Sequence, residues 1–84
     1  MIRSYMVVEN FFPGSKDAIY ERFHARGRML PDGLEYVDSW LTLEGNKCFQ
    51  LMSTDDFSLF EAWIEHWKDL GSFEIVELGP KPEV

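Results

Sequence analysis

Residues 38–52, DSWLTLEGNKCFQLM, decide how this chain folds. Two runs rich in Trp, Leu, Thr, Phe and Met flank Gly45 and Asn46, residues that tolerate positive φ and so mark a hairpin turn. With those two as the loop, Glu44 faces Lys47. Leu43 then opposes Cys48, Leu41 opposes Gln50 and Ser39 opposes Met52 on one face. On the other face Thr42 opposes Phe49, Trp40 opposes Leu51 and Asp38 opposes Ser53. Large apolar residues occupy both sides: Val37, Leu41, Leu43 and Met52 on one, Tyr36, Trp40, Phe49 and Leu51 on the other. A sheet that is wet on one side alternates apolar with polar residues. This hairpin does not, so both of its faces need cover.

Working outward, residues 2–9 are strand-like through Tyr5, Val7 and Val8, and a Pro-Gly break follows at 13–14. Ser15 is placed to cap a helix through KDAIYERFHAR, residues 16–26, whose apolar stripe includes Ile19 and Phe23. Gly27 ends it, and LPDG at 30–33 is a turn. Strands at 34–44 and 47–54 form the hairpin. Asp55 or Asp56 then caps a second helix, with Ser58 and Glu61 as an alternative capping box. Phe57, Phe60, Trp63, Ile64, Trp67 and Leu70 recur along it at helical spacing until Gly71. SFEIVEL at 72–78 is the last strand. The order is β-α-β-β-α-β, a ferredoxin-like α+β fold with a four-stranded antiparallel sheet and two helices on one face. Residues 1–79 form the single domain and 80–84 a short tail.

Two helices cover one face of such a sheet. A second copy of the chain, packed sheet to sheet about a two-fold axis, is expected on the face away from the helices. Size supports this. A chain of 84 residues that is 45% hydrophobic and 15% aromatic carries more apolar mass than one small core requires.

The formal charge of −7 disfavours nucleic acid and anionic membranes, both of which bind through Lys and Arg. One cysteine allows no internal disulfide, the N-terminal MIRSYMVVEN reads as a strand and not a signal peptide, and no apolar run is long enough to span a bilayer. A cytoplasmic protein is expected.

No phosphate loop, nucleophile elbow or paired-cysteine metal pattern occurs, and the spacing of His24 and His66 is not that of metal ligands. No metal and no cofactor are expected. Three weaker constellations stand out. Arg22, Arg26 and Arg28 are three of the eight basic residues, gathered within residues 22–28. They suit an anion held bidentately, though the reading favoured by their place at a helix C-terminus is pairing with Asp32, Glu35 or Asp38. Ser39, Cys48 and Gln50 place polar groups among large side chains, as internal hydrogen-bond partners or as the edge of a pocket. Trp63 and Trp67, at i and i+4, are a core face whose indole N–H groups need acceptors, or an aromatic pocket wall.

The blocks FFPG, RFHARGRMLPDGLEYVDSW, CFQLMSTDD, WIEHWKDL and FEIVELG, in this order, resemble domain-of-unknown-function family 3303, small bacterial proteins of about this size. The recurring positions of that family correspond to Arg22, Gly27, Arg28, Pro31, Gly33, Ser39, Trp40, Cys48, Gln50, Trp63, Trp67, Asp69 and Leu70. The resemblance implies a ferredoxin-like chain of the dimeric α+β barrel type and carries over no catalytic residue. The wider barrel group includes cofactor-independent monooxygenases, isomerases and decarboxylases, an analogy of fold alone.

Three functions are compatible with the sequence. The leading one is a homodimer that holds a small organic, anionic molecule in a pocket of each subunit, lined by Arg22, Arg28, Ser39, Trp40, Gln50, Trp63 and Trp67. A second is a cofactor-independent monooxygenase or isomerase using that pocket, with His24 as its candidate base. A third is a structural or protein-interaction module.

Overall fold

A computed structural model describes residues 1–83. The elements run β1 (Arg3–Phe11), α1 (Lys16–Arg26), β2 (Glu35–Leu41), β3 (Lys47–Thr54), α2 (Leu59–Glu65) and β4 (Gly71–Leu78). The strands pair antiparallel throughout in the order β2-β3-β1-β4. This is the expected βαββαβ fold, and the two crossovers bring both helices to one face of the sheet.

Alternation along the strands sorts their residues. Tyr5, Val7 and Glu9 of β1 and Gln50, Met52 and Thr54 of β3 point to the helices and are buried. With Ile19, Leu34, Phe60, Trp63 and Trp67 they enclose the core. Burial of each such aliphatic or aromatic side chain contributes about 1.5–3 kcal/mol. The chain enters α1 at Ser15, whose hydroxyl lies 2.7 Å from the carbonyl oxygens of both Phe12 and Leu70. That contact ties the helix start to the entry of β4 in place of the side-chain cap its position suggests.

Three details differ from the sequence expectation. The hairpin register is displaced by two residues: Leu41 pairs with Cys48, Trp40 with Phe49 and Ser39 with Gln50. The cause is the turn. Gly45 N–H donates to the Thr42 carbonyl and Thr42 N–H to the Lys47 carbonyl, each at 2.8 Å, so the loop is wider than Gly45-Asn46. Because strand side chains alternate with period two, this displacement leaves every paired residue on its expected face. A β-bulge between Tyr36 and Asp38 does change a face. It aligns Tyr36 with Met52 on the helix side and leaves Val37 exposed. Lastly, α2 ends at Glu65 and Gly71 opens β4. A Cβ at Gly71 would stand 2.7 Å from the Asn10 carbonyl oxygen, so close strand approach, not helix termination, requires glycine there.

The face away from the helices carries two apolar rows across the sheet. Trp40, Phe49 and Val8 are successive partners from β2 through β3 to β1. Leu51, Met6 and Val76 run from β3 through β1 to β4. Trp40 is 51% exposed and Val76 44%.

Candidate functional site

On the helix side the register assembles a polar block inside the apolar sheet. Cys48 is the partner of Glu9, Gln50 that of Val7, and Ser39 that of Gln50. Glu9, Cys48, Gln50 and Ser39 therefore sit together across β1, β3 and β2. They form the floor of a cavity of about 340 Å³. Ile19, Tyr20 and Phe23 of α1, Trp63 of α2 and Trp67 just beyond it form the walls, with Phe11, Leu41 and Arg28 at the sides. Such a volume, apolar lining and cluster of polar groups are those of a small-molecule site.

Glu9 is 6% exposed and Gln50 5%. The Gln50 amide Nε2 donates to Glu9 Oε1 at 3.2 Å, the only side-chain hydrogen bond Glu9 makes among the described residues. No fully buried side-chain oxygen or nitrogen among them lacks a partner. Glu9 Oε2, which has none among the described residues, must therefore border accessible space, and the cavity that Glu9 lines is beside it. Burial raises the Glu9 carboxyl from 4.5 to about 7. It is poised to take up or release a proton near neutrality.

Arg28 follows Gly27, where a positive φ of 67° breaks the helix. Its backbone carbonyl accepts both indole N–H groups, from Trp63 and Trp67 at 3.0 Å each. The two tryptophans are thus core, cavity wall and clamp at once. Met29 is held at φ 59°, a left-handed conformation that costs roughly 1–2 kcal/mol outside glycine. The indole hydrogen bonds offset that cost and hold the backbone that carries Arg28. The guanidinium lies 3.6 Å from the Tyr36 ring centroid and 5.1 Å from that of Phe23. The Tyr36 hydroxyl is 2.6 Å from Ser39 Oγ, which links the cation to the floor. Among the described residues Arg28 makes no ion pair. It is a cation held by aromatic rings at the side of the cavity.

Cys48 is pushed up to about 11, first by burial and then by the negative charge of Glu9, against a smaller lowering by Arg28. Its thiol is protonated at neutral pH and is no nucleophile. Among the described residues no three His, Cys, Asp or Glu side chains converge on a metal position.

Of the residues singled out in the sequence, Arg28, Ser39, Gln50, Trp63 and Trp67 line this one cavity. Arg22, Trp40 and His24 do not. Arg22 is one residue before Phe23 and so about 100° round α1 from it. It grips Asp69 through two bonds of 2.8 and 2.9 Å and donates to the His66 carbonyl at 2.7 Å. The helix-end pairing is thus made, with Asp69 and not with Asp32, Glu35 or Asp38. Trp40 lies between Ser39 and Leu41 in β2 and must point to the other face. His24 is exposed on α1, beside Phe23 but outside the cavity. Glu9 was absent from the sequence candidates. Its signal was phase: in a strand that buries Tyr5 and Val7, the next inward position is Glu9.

A cavity roofed by helices over a four-stranded antiparallel βαββαβ sheet defines a ferredoxin-like α+β domain. Residues 3–77 match the family described as domain of unknown function DUF3303, and the chain belongs to that family. No curated protein matches it in sequence. Among solved structures it is similar to Rv0793 from Mycobacterium tuberculosis, with TM-score 0.63 and 12% identity over 99% of this chain and 98% of that one. It is also similar to a "putative Antibiotic biosynthesis monooxygenase" from Chloroflexus aurantiacus J-10-fl, with TM-score 0.53 and 13% identity over 98% of each chain. At these identities the likeness is one of fold.

Proposed function

We propose that the protein is a homodimer in which each subunit binds a small organic anion with a planar, partly aromatic body. The observation that carries this is Arg28, a guanidinium with no ion pair among the described residues, fixed at the side of a cavity of about 340 Å³ with aromatic walls. An anionic group pairs with Arg28, the body lies against Trp63, Trp67 and Phe23, and the floor amide and hydroxyl of Gln50 and Ser39 orient it. The two apolar rows on the opposite face support self-association, with Trp40 in the contact between subunits. No helix among the described residues is long and apolar enough to cross a membrane.

Mass spectrometry of small molecules released from the native protein tests the proposal directly, alongside tryptophan-fluorescence titration with aryl carboxylates. Binding that Arg28→Ala weakens by tenfold or more, and Arg22→Ala leaves alone, is expected. Equal binding by the wild type and Arg28→Ala would overturn the assignment of the anion site.

A further inference from the structure

Glu9 stands in the cavity where the sequence had offered only His24 as a base. We propose that Glu9 is the general base of a cofactor-free keto–enol proton shift on an aryl 2-oxo acid held in this cavity. The inference rests on the ligand-binding reading above and adds a reaction to it.

Geometry supplies each part. Gln50 fixes Oε1 of the carboxyl, and Oε2 is left free toward the cavity. Arg28 takes the substrate carboxylate, and the aromatic walls take the ring. A carboxylate is a weak base, so the carbon acid must be activated, as a C–H beside a carbonyl is. A carbonyl conjugated to a carboxylate supplies that activation and the anion for Arg28 in one group. In the step, Glu9 Oε2 takes the proton from the carbon next to the carbonyl. The C–H electron pair becomes the C=C bond and the carbonyl pair moves to oxygen, giving an enolate. Protonated Glu9 then returns the proton to that oxygen. Keto acid becomes enol with no atom gained or lost and no change in oxidation state.

The surroundings suit the transfer. The groups facing Glu9 are Cys48 and Gln50 from β3, Phe73 from β4, Tyr20 from α1, Trp63 and Trp67 from the α2 side, and Arg28 from the loop. Of these only Arg28 is charged at neutral pH, and it favours the enolate. The carboxyl, at about 7, is a stronger base than an exposed glutamate while remaining largely ionised just above neutrality.

The test uses phenylpyruvate, 4-hydroxyphenylpyruvate and indole-3-pyruvate as probes. Binding is followed by tryptophan fluorescence, and exchange of the benzylic protons into D2O by proton NMR. The wild type is expected to accelerate exchange over buffer, with a rate that rises as pH passes about 7. Glu9→Gln is expected to bind the probe and lose about 100-fold or more of the acceleration. Glu9→Asp, which keeps a carboxyl but withdraws it by one methylene, should fall between the two. Probe that binds but exchanges no faster than in buffer, or equally fast with Glu9→Gln, overturns the proton transfer and leaves the binding reading standing. Failure of all three probes to bind overturns both. The pH profile of the wild type tests the role of Glu9 without requiring any variant to fold.

Discussion

Glu9→Gln replaces a buried carboxyl by an amide of nearly the same shape, and its effect on stability can be worked out from the site. The amide oxygen can still accept the Gln50 N–H, so the hydrogen bond at 3.2 Å survives. What disappears is a titration. In the unfolded chain a glutamate ionises near 4.5, whereas in the folded protein burial holds the proton until about 7. Between those values the folded state binds more protons than the unfolded one, so stability falls as pH rises and levels off above the folded value. At about 1.4 kcal/mol per pH unit, the interval from 4.5 to about 7 corresponds to about 3 kcal/mol. For a domain of this size that is a large share of the total, and equals roughly 12–24 °C in Tm. Urea denaturation of both proteins from pH 4.5 to pH 8, at one fixed protein concentration, measures it. The difference in stability, Glu9→Gln minus wild type, is expected to grow by about 3 kcal/mol from pH 4.5 to pH 8. Asp69 acts with the opposite sign and elsewhere: Arg22 holds its carboxyl below 3.8, so its contribution is present above that value and is lost as pH falls below it. Parallel curves for the two proteins across this range would refute the assignment of a buried Glu9 whose titration is raised.

Other outcomes follow from the same structure. Trp63→Phe and Trp67→Phe each leave the Arg28 carbonyl one donor, but together they orphan it, so the double variant should lose about 1 kcal/mol more than the sum of the singles. Additive losses in urea denaturation would refute the shared clamp. Leu51→Asp places a charge at the β3 end of an apolar row on the open sheet face, so the mass in solution is expected to fall from two chains to one of 9.9 kDa. A dimer unchanged in sedimentation equilibrium would place the contact elsewhere. With its thiol at about 11 and not 9.0, Cys48 should react with a disulfide reagent at pH 8 about 100-fold more slowly in the folded protein than when unfolded. Comparable rates would show that the thiol is not shielded.

Much of the site was present in the sequence as unexplained polarity. Ser39, Cys48 and Gln50 stood out because they interrupt apolar strands, and alternation alone put them on one face. Glu9 was harder to see, since a glutamate at the end of a strand-like run is usually a solvated edge. Only the extension of β1 to Phe11 makes it an interior position. Arg22 and Arg28 looked equivalent, being basic residues near a helix end. Which of them finds an acid depends on Asp69, far along the chain, and local patterns carry no information on that distance.

By itself the sequence determined the order of elements, a turn around Gly45-Asn46, and the two-sided apolar character of the hairpin. These follow from periodicity and turn chemistry, which act over a few residues. Tertiary structure alone decided the bulge that turns Tyr36 toward Ser39, the convergence of two indoles on the Arg28 carbonyl, and the burial that raises Glu9. Each of these depends on groups brought together from distant parts of the chain, where packing and desolvation, not local propensity, set the outcome.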